Sequence, residues 1–333
     1  MRSTLFTIPF INLDVPAFGV MMMLGVVCGV WWASKRAERV KCDGELVVNL
    51  GLLILLSSIA GARLFYVIHY WEKFKGGSFF DMINVRNGGL EFYGGFISGL
   101  LAIFIYFRIR KLSLRLYFDI LAPSVALGMA FGRLGCFLHG CCWGSACSPD
   151  LAWAVRFPYE SPPFSRQWDN RLATLPADLI YVFDDPGEDY GLAAPSFLAH
   201  PDTPLYLRKL AATHRSAPVH PSQIYASIGG FILAVLLHNY FFRRKRHGMV
   251  FAMLLVLYPM MRFFEEAIRG DNPHDTLHLT VSQFISIALL VSGVVMMLVL
   301  RRMPARSPYA DVVPVREDSP QSTQRARTAR KPV

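Results

Sequence analysis

The sequence predicts an all-α polytopic membrane protein with about seven transmembrane helices. Of its 333 residues, 53% are hydrophobic and only 17% are charged, and the mean hydropathy is +0.35. An ordinary soluble domain does not have this composition. In lipid, every backbone polar group must be paired within its own segment, so long apolar runs are expected to be helices rather than open sheet.

Seven windows have the roughly 17 to 25 apolar residues that a helix needs to cross the hydrocarbon core. They are 16–33, 46–70, 90–106, 116–138, 224–242, 249–264 and 279–300. The first window lacks the basic segment that precedes the apolar part of a signal peptide. We therefore expect it to be a retained helix.

The short connections between these windows differ in charge, which predicts the orientation. Basic residues follow the first, third, fifth and seventh windows: Lys35, Arg36, Arg39, Lys41, Arg108, Arg110, Lys111, Arg115, Arg243, Arg244, Lys245, Arg246, Arg301 and Arg302. This alternation places the N-terminus outside and the C-terminus in the cytoplasm. The net charge of +10 is then a matter of topology, and nucleic-acid binding is not expected.

The chain is predicted to divide into four parts. Residues 1–144 hold the first four helices, and residues 218–302 hold the last three. Between them, residues 145–217 are rich in Asp, Glu and Pro and form an outward-facing, extracytoplasmic head. Residues 303–333 are polar and rich in Pro, Ser, Arg and Thr, which predicts a disordered cytoplasmic tail.

Ionisable residues inside apolar spans are costly and are therefore candidates for function. Arg133 lies deep in the fourth window, between Gly132 and Gly135 and without an acidic neighbour in sequence, so we expect an anion to meet it. Four further residues share one face of the sixth helix: Tyr258, Arg262, Glu266 and Arg269. The alternative for this helix is a mutually neutralising set, with Arg262 paired to Glu266 and Glu265 to Arg269.

Four cysteines cluster at the outward end of the fourth helix, with His139 among them: Cys136, Cys141, Cys142 and Cys147. Three interpretations remain open. The cysteines could pack as small apolar residues, with a disulfide in an oxidising compartment. They could bind a metal, although the paired C-x-x-C spacing is missing. They could also serve a membrane thiol oxidoreductase.

Four motifs bear a resemblance to a known family: GGLEFYGG at 88–95, GRLGCFLHG at 132–140, HPSQIY at 220–225 and YPMMRFFEEAIR at 258–269. In their order and spacing the chain resembles the prolipoprotein diacylglyceryl transferase family. The resemblance implies that the lipobox cysteine of a prolipoprotein attacks the glyceryl carbon of phosphatidylglycerol, which forms a thioether and releases glycerol 1-phosphate. It also implies a bacterial inner-membrane enzyme that faces the periplasm, works as a monomer among membrane lipids and needs no metal or cofactor.

The resemblance also implies roles for individual residues. Arg133 and Arg262 are expected to clamp the phosphate, because a guanidinium binds phosphate oxygens in a bidentate manner. Glu266 would orient Arg262, and Arg269 would act as a gate. Further residues are expected in the catalytic or substrate-binding set: Tyr258, Tyr93, His139, Gly132, Gly135, Cys136, Gln223, Tyr225 and Arg63.

The chain departs from the family pattern at two places. Tyr93 stands where many members have a histidine that is proposed to deprotonate the thiol, so Tyr93, His139 and His220 are alternative candidates for the base. Cys136 and Cys141 replace the usual Asn and Glu of the arginine motif. A lipid or anion transporter is a further alternative, although the internal repeats expected for one are not evident in the sequence.

Overall fold

The computed structural model describes residues 4–8, 13–76, 78–85, 88–159, 161–171, 176–181, 191–192, 198, 203–270, 279–307 and 310. In this part of the chain there are ten α-helices, numbered here in order. They are α1 (Ala17–Arg39), α2 (Gly44–His69), α3 (Phe79–Ile83), α4 (Phe92–Arg110), α5 (Leu114–His139), α6 (Pro162–Asp169), α7 (Leu205–Thr213), α8 (Ser222–Arg243), α9 (Met249–Ile268) and α10 (Val281–Arg302).

The long helices coincide with the apolar windows of the sequence. By length and composition, six of them could cross a membrane: α1, α2, α4, α5, α8 and α10. The seventh, α9, is also 20 residues long, but Arg262, Glu265 and Glu266 lie near its end. The prediction of an all-α polytopic membrane protein is thus confirmed, while the orientation stays a prediction.

Two short hairpins were not expected from the sequence. Strand β1 (Thr4–Ile8) pairs antiparallel with β2 (Leu13–Pro16) immediately before α1. Strands β3 (Ile180–Tyr181) and β4 (Gly191–Leu192) form a second antiparallel pair. Apart from Pro16, both hairpins lie outside the apolar windows, where water can satisfy the edges of a short strand.

The segment predicted as the outward head contains α6, α7 and β3. Its described residues have a small core of their own, in which Leu179, Leu207 and Ala211 are buried against Tyr159 and Leu210. Much of residues 172–202 falls outside the described part of the chain. The predicted disordered tail also falls outside it, apart from residues 303–307 and 310.

The chain forms two compact units. The first comprises the described residues of Met1–Val27, Val125–His238 and Ala252–Met297. Within it, Ser227 of α8 donates a hydrogen bond to the carbonyl oxygen of Ala130 in α5 (3.0 Å). A Cβ added at Gly230 would lie 3.0 Å from that of Ala130, so glycine permits this close helix contact.

The second unit comprises the described residues of Cys28–Ser124, Asn239–Phe251 and Leu298–Val333. Here α2 and α4 approach closely, because a Cβ added at Gly61 would come within 1.9 Å of the Ser98 hydroxyl. A second tie joins α5 to the start of α9. The buried Asp119 accepts hydrogen bonds from the backbone N–H groups of Gly248, Val250 and Phe251.

Candidate active site in the first unit

The first unit contains a cavity of about 320 Å³ with a mostly apolar wall. This volume is within the range of small-molecule sites. Residues from α1, α5, α8 and α9 line it: Phe18, Met22, Gly128, Met129, Gly132, Arg133, Cys136, Ala226, Gly230, Tyr258, Met261 and Glu265. Four of these lining residues are candidates predicted from the sequence, namely Gly132, Arg133, Cys136 and Tyr258. The cavity thus brings α5 and α9 candidates together.

Arg133 meets a carboxylate across the cavity wall. Its Nη2 lies 3.7 Å from Oε2 of Glu265, and the two side chains are 20% and 17% exposed. At that distance the ion pair is loose, so the planar guanidinium keeps donors for a second anion. The sequence predicts a pairing of Glu265 with Arg269, since the two are four residues apart. The contact with Arg133 could not be foreseen, because it joins residues far apart in the chain.

Glu266 is the centre of a second charged group on α9. Its carboxylate is fully buried and lies 2.5 Å from Nη1 of Arg262 and 3.3 Å from Nη1 of Arg269. The predicted pairing of Arg262 with Glu266 is thereby confirmed. Arg262 also donates a hydrogen bond from Nη2 to the Ser282 hydroxyl of α10 (3.1 Å). Both arginines are thus held in fixed positions, as a preorganised anion site requires.

Charge balance in this region favours an anionic ligand. Among the described residues, the two groups combine Arg133, Arg262 and Arg269 with only two carboxylates, Glu265 and Glu266. Ionised, they leave one positive charge in excess within a mostly buried environment. An unbalanced charge is costly at membrane depth, and a bound phosphate would neutralise it.

Three cysteines converge beside the cavity. The Sγ atoms of Cys136, Cys141 and Cys142 lie within 4.8 Å of one another. All six cysteines of the chain are free thiols, so the disulfide considered from the sequence is not formed. Hydrogen bonds with the Cys136 and Cys141 thiols lower the pKa of the Cys142 thiol, and Arg269 and Arg133 act in the same direction. A negative charge is therefore best accommodated at Cys142.

The loop that follows α5 is fixed by the start of α8. Gln223 is fully buried and donates a hydrogen bond from Nε2 to the carbonyl oxygen of Cys141 (2.7 Å). Ser222 donates one to the carbonyl oxygen of Cys142 (2.8 Å). Tyr225 accepts a hydrogen bond from the Trp153 indole (2.7 Å) and lies 3.3 Å from Nδ1 of His220. Gln223 and Tyr225 thus hold the protein scaffold here, and binding of substrate by them stays a prediction.

Other candidates lie at the margin of this region. Gly135 allows α5 to approach α1, because an added Cβ would come within 2.9 Å of the Phe18 ring. His139 is the last residue of α5, and its side chain is exposed rather than part of the cavity lining. Its proposed role as a base also stays a prediction.

Arg63 and Tyr93 belong to the second unit. Arg63 is buried and donates hydrogen bonds to four backbone carbonyl oxygens, those of Asp81, Met82, Gly88 and Gly89. Most of its donors are therefore engaged in holding the segment before α4, which favours a structural role. Tyr93 lies in the first turn of α4 and is 66% exposed.

The fold and this site define a polytopic membrane protein with an arginine, Arg133, in the wall of a mostly apolar cavity. Comparison of the sequence with known families makes the assignment specific. The family described as prolipoprotein diacylglyceryl transferase matches residues 4–299. The chain belongs to this family.

Similar proteins extend over nearly the whole chain, and each is named phosphatidylglycerol–prolipoprotein diacylglyceryl transferase. A protein of Finegoldia magna is 26% identical over 89% of this chain and 95% of its own length. One of Clostridium tetani is 26% identical over 88% and 96%. One of Enterococcus faecalis is 29% identical over 91% and 94%. The resemblance noted in the four motifs is thus confirmed at the level of the whole sequence.

Proposed function

We propose that this protein transfers the diacylglyceryl group of phosphatidylglycerol to a cysteine thiol of prolipoproteins. Family membership and the names of its relatives support the reaction. The observation that carries the assignment of the site is that Arg133 lines a largely apolar cavity and is only loosely paired there, 3.7 Å from the carboxylate of Glu265. A cavity of this kind suits a phospholipid, whose headgroup is anionic and whose tails are apolar.

In the proposed reaction, sulfur displaces phosphate at carbon. The thiol of the acceptor loses its proton, and the sulfur attacks the glyceryl carbon of phosphatidylglycerol. The bond between that carbon and the phosphate oxygen breaks, and glycerol 1-phosphate leaves with the electron pair. Negative charge grows on the departing phosphate, so a fixed guanidinium stabilises the transition state more than the ground state.

Arg133 is the residue we assign to the phosphate, since it borders the cavity and is only loosely paired with Glu265 (3.7 Å). Arg262 is more tightly held, by Glu266 and Ser282. We assign it a supporting role in which it keeps the local potential positive. Tyr258 shares the cavity wall with Arg133, and its hydroxyl is a candidate donor to the leaving group. Tyr93 keeps its assignment from the family pattern alone, whereas the hydrogen bonds of Arg63 to four backbone carbonyl oxygens favour a structural role.

The location of the reaction follows from the distribution of charge in the sequence. We propose an inner-membrane protein with N-terminus outside, C-terminus inside and active site towards the periplasm, in accord with the basic connections after α1, α4, α8 and α10. The lipobox cysteine as acceptor, the four-part division of the chain and a monomeric state belong to the same proposal. The thiol oxidoreductase and transporter alternatives find no support in the family or its relatives.

The decisive experiment is transfer by the purified protein in vesicles. Vesicles of phosphatidylglycerol are mixed with a peptide that contains a lipobox cysteine, and mass spectrometry measures the peptide. A mass increase of one diacylglyceryl group, stable to thiol reductants, is the expected result. Vesicles of phosphatidylcholine and a peptide with Cys replaced by Ser are the matched controls. The proposal would be refuted if this protein left the peptide unmodified while an active preparation of a relative, used as the positive control, modified it.

A further inference from the structure

The proposed reaction gives no role to the thiols of the three converging cysteines. Cys136 lies on the last full turn of α5 and borders the cavity. Cys141 and Cys142 follow the end of the helix, and all three Sγ atoms lie within 4.8 Å of one another. Cys147 belongs to the same loop but not to this group. Three soft ligand atoms are therefore gathered on one side of the cavity.

The backbone is shaped to bring the three thiols together. Gly140 and Cys142 both have left-handed backbone conformations, with φ of 86° and 58°. Such a value is unusual for a residue with a Cβ and is maintained only by its surroundings. Here the buried Gln223 and Ser222 hold the carbonyl groups of Cys141 and Cys142. The trio is thus a preformed arrangement rather than a chance contact of mobile side chains.

Three cysteine sulfurs at this spacing match the ligand set of a soft divalent cation. Zinc binds thiolates at about 2.3 Å in tetrahedral geometry, which puts neighbouring sulfurs roughly 3.8 Å apart. The three Sγ atoms already lie within 4.8 Å of one another, so small side-chain rotations would bring them to this spacing. Three thiolates around one Zn²⁺ carry one surplus negative charge.

We propose that Cys136, Cys141 and Cys142 bind a zinc-class cation whose fourth coordination position opens to the cavity and receives the acceptor thiol. This inference rests on the proposed function. It departs from the metal-free reaction that the family resemblance implies, at the positions where Cys136 and Cys141 replace the family's Asn and Glu. A metal-coordinated thiol is deprotonated outright, so a strong general base is not required. A cation held by the three cysteines would bind the acceptor sulfur as a thiolate, and the thiol proton would be released to water. The thiolate would form its bond to the glyceryl carbon as the bond from that carbon to the phosphate oxygen breaks, so no oxidation state would change.

Metal binding is tested first, independently of catalysis. The full-length protein in detergent is stripped with a chelator and titrated with Cd²⁺, and the ultraviolet absorption of cadmium–thiolate bonds is followed. Saturation at one Cd²⁺ per chain is expected. The variants Cys136→Ser, Cys141→Ser and Cys142→Ser should each lose most of this signal. Cys147→Ser and Cys28→Ser are the matched controls and should retain it. Equal signals in all five variants, or none in the unmodified protein, would overturn the site.

The role of the metal is tested by transfer in phosphatidylglycerol vesicles. Chelation should reduce transfer at least tenfold, and one equivalent of Zn²⁺ should restore it. Unchanged transfer by the stripped protein would overturn thiol activation, even if Cd²⁺ binds. Full metal binding without transfer under any condition would instead contradict the proposed function and leave the metal site standing. Thermal midpoints of each variant separate loss of metal from loss of fold.

Discussion

Among single residues, Arg133 is the one on which the proposed phosphate site most depends, because it lines the cavity and pairs with Glu265 of α9. Replacing it by Ala should reduce transfer at least 100-fold, as expected when one preorganised donor to a developing negative charge is removed. Arg133→Lys keeps the charge but loses the planar fork, so an intermediate loss is expected. Initial rates in phosphatidylglycerol vesicles measure both effects. Near-normal transfer by Arg133→Ala would remove this residue from the phosphate site.

Gly128 offers a residue-scale test of the cavity itself. It lies in the wall, and a Cβ built on it would meet no atom within 4 Å. Gly128→Leu should therefore fill part of the cavity without disturbing the helices, and should raise the KM for phosphatidylglycerol severalfold at an almost unchanged thermal midpoint.

Gly230→Ala provides the matched contrast, since its new methyl group would press on Ala130 (3.0 Å). This variant should lower the thermal midpoint instead. If Gly128→Leu transferred lipid with normal KM, the cavity would not be where the phospholipid binds.

At the scale of elements, the start of α9 depends on a residue of α5. Asp119 is fully buried, pairs with Nε of Arg244 (2.8 Å) and accepts hydrogen bonds from three backbone N–H groups in and next to the first turn of α9. Asp119→Ala would leave these donors and Arg244 without their acceptor, at a cost of about 3–5 kcal/mol. A thermal midpoint lower by many degrees is expected in detergent.

Asp119→Asn should have a smaller effect, because an amide oxygen still accepts hydrogen bonds although the charge is lost. Asp150→Asn, at an exposed position, is the control and should leave the midpoint unchanged. Equal midpoints for Asp119→Ala and the unmodified protein would show that α9 begins correctly without this carboxylate.

The positions of the long helices can be predicted from the sequence, whereas the contacts between them cannot. The apolar windows located every long helix among the described residues, since length and hydropathy indicate which segments can cross a membrane. The window from residue 90 began two residues early, because Glu91 precedes α4 as its N-cap. The partner of Arg133 could not be predicted, for Glu265 is brought to it only by packing of α9 on α5. Convergence of the three cysteines likewise depends on left-handed turns that no spacing rule reveals.

At the scale of the whole molecule, orientation in the membrane is the main prediction that remains. Lys and Arg follow α1, α4, α8 and α10, and cytoplasmic connections carry this excess. Fusions of alkaline phosphatase, which folds only outside the cytoplasm, should be active after Asn170 and inactive after Lys111 or Lys245. Fusions of a fluorescent protein that matures only in the cytoplasm should give the reverse pattern.

The orientation matters for the chemistry, because secreted acceptor proteins present their cysteine on the outer side of the membrane. The loop with Cys141 and Cys142 follows the outward end of α5 in the predicted topology, so an acceptor could reach it without crossing the bilayer. Removing most of the basic excess after α1, with Lys35, Arg39 and Lys41 changed to Gln, should weaken the preference for this orientation and lower transfer in cells. Phosphatase activity after Lys111 in the unmodified protein would place the arginine site on the cytoplasmic side, where a secreted acceptor does not present its thiol.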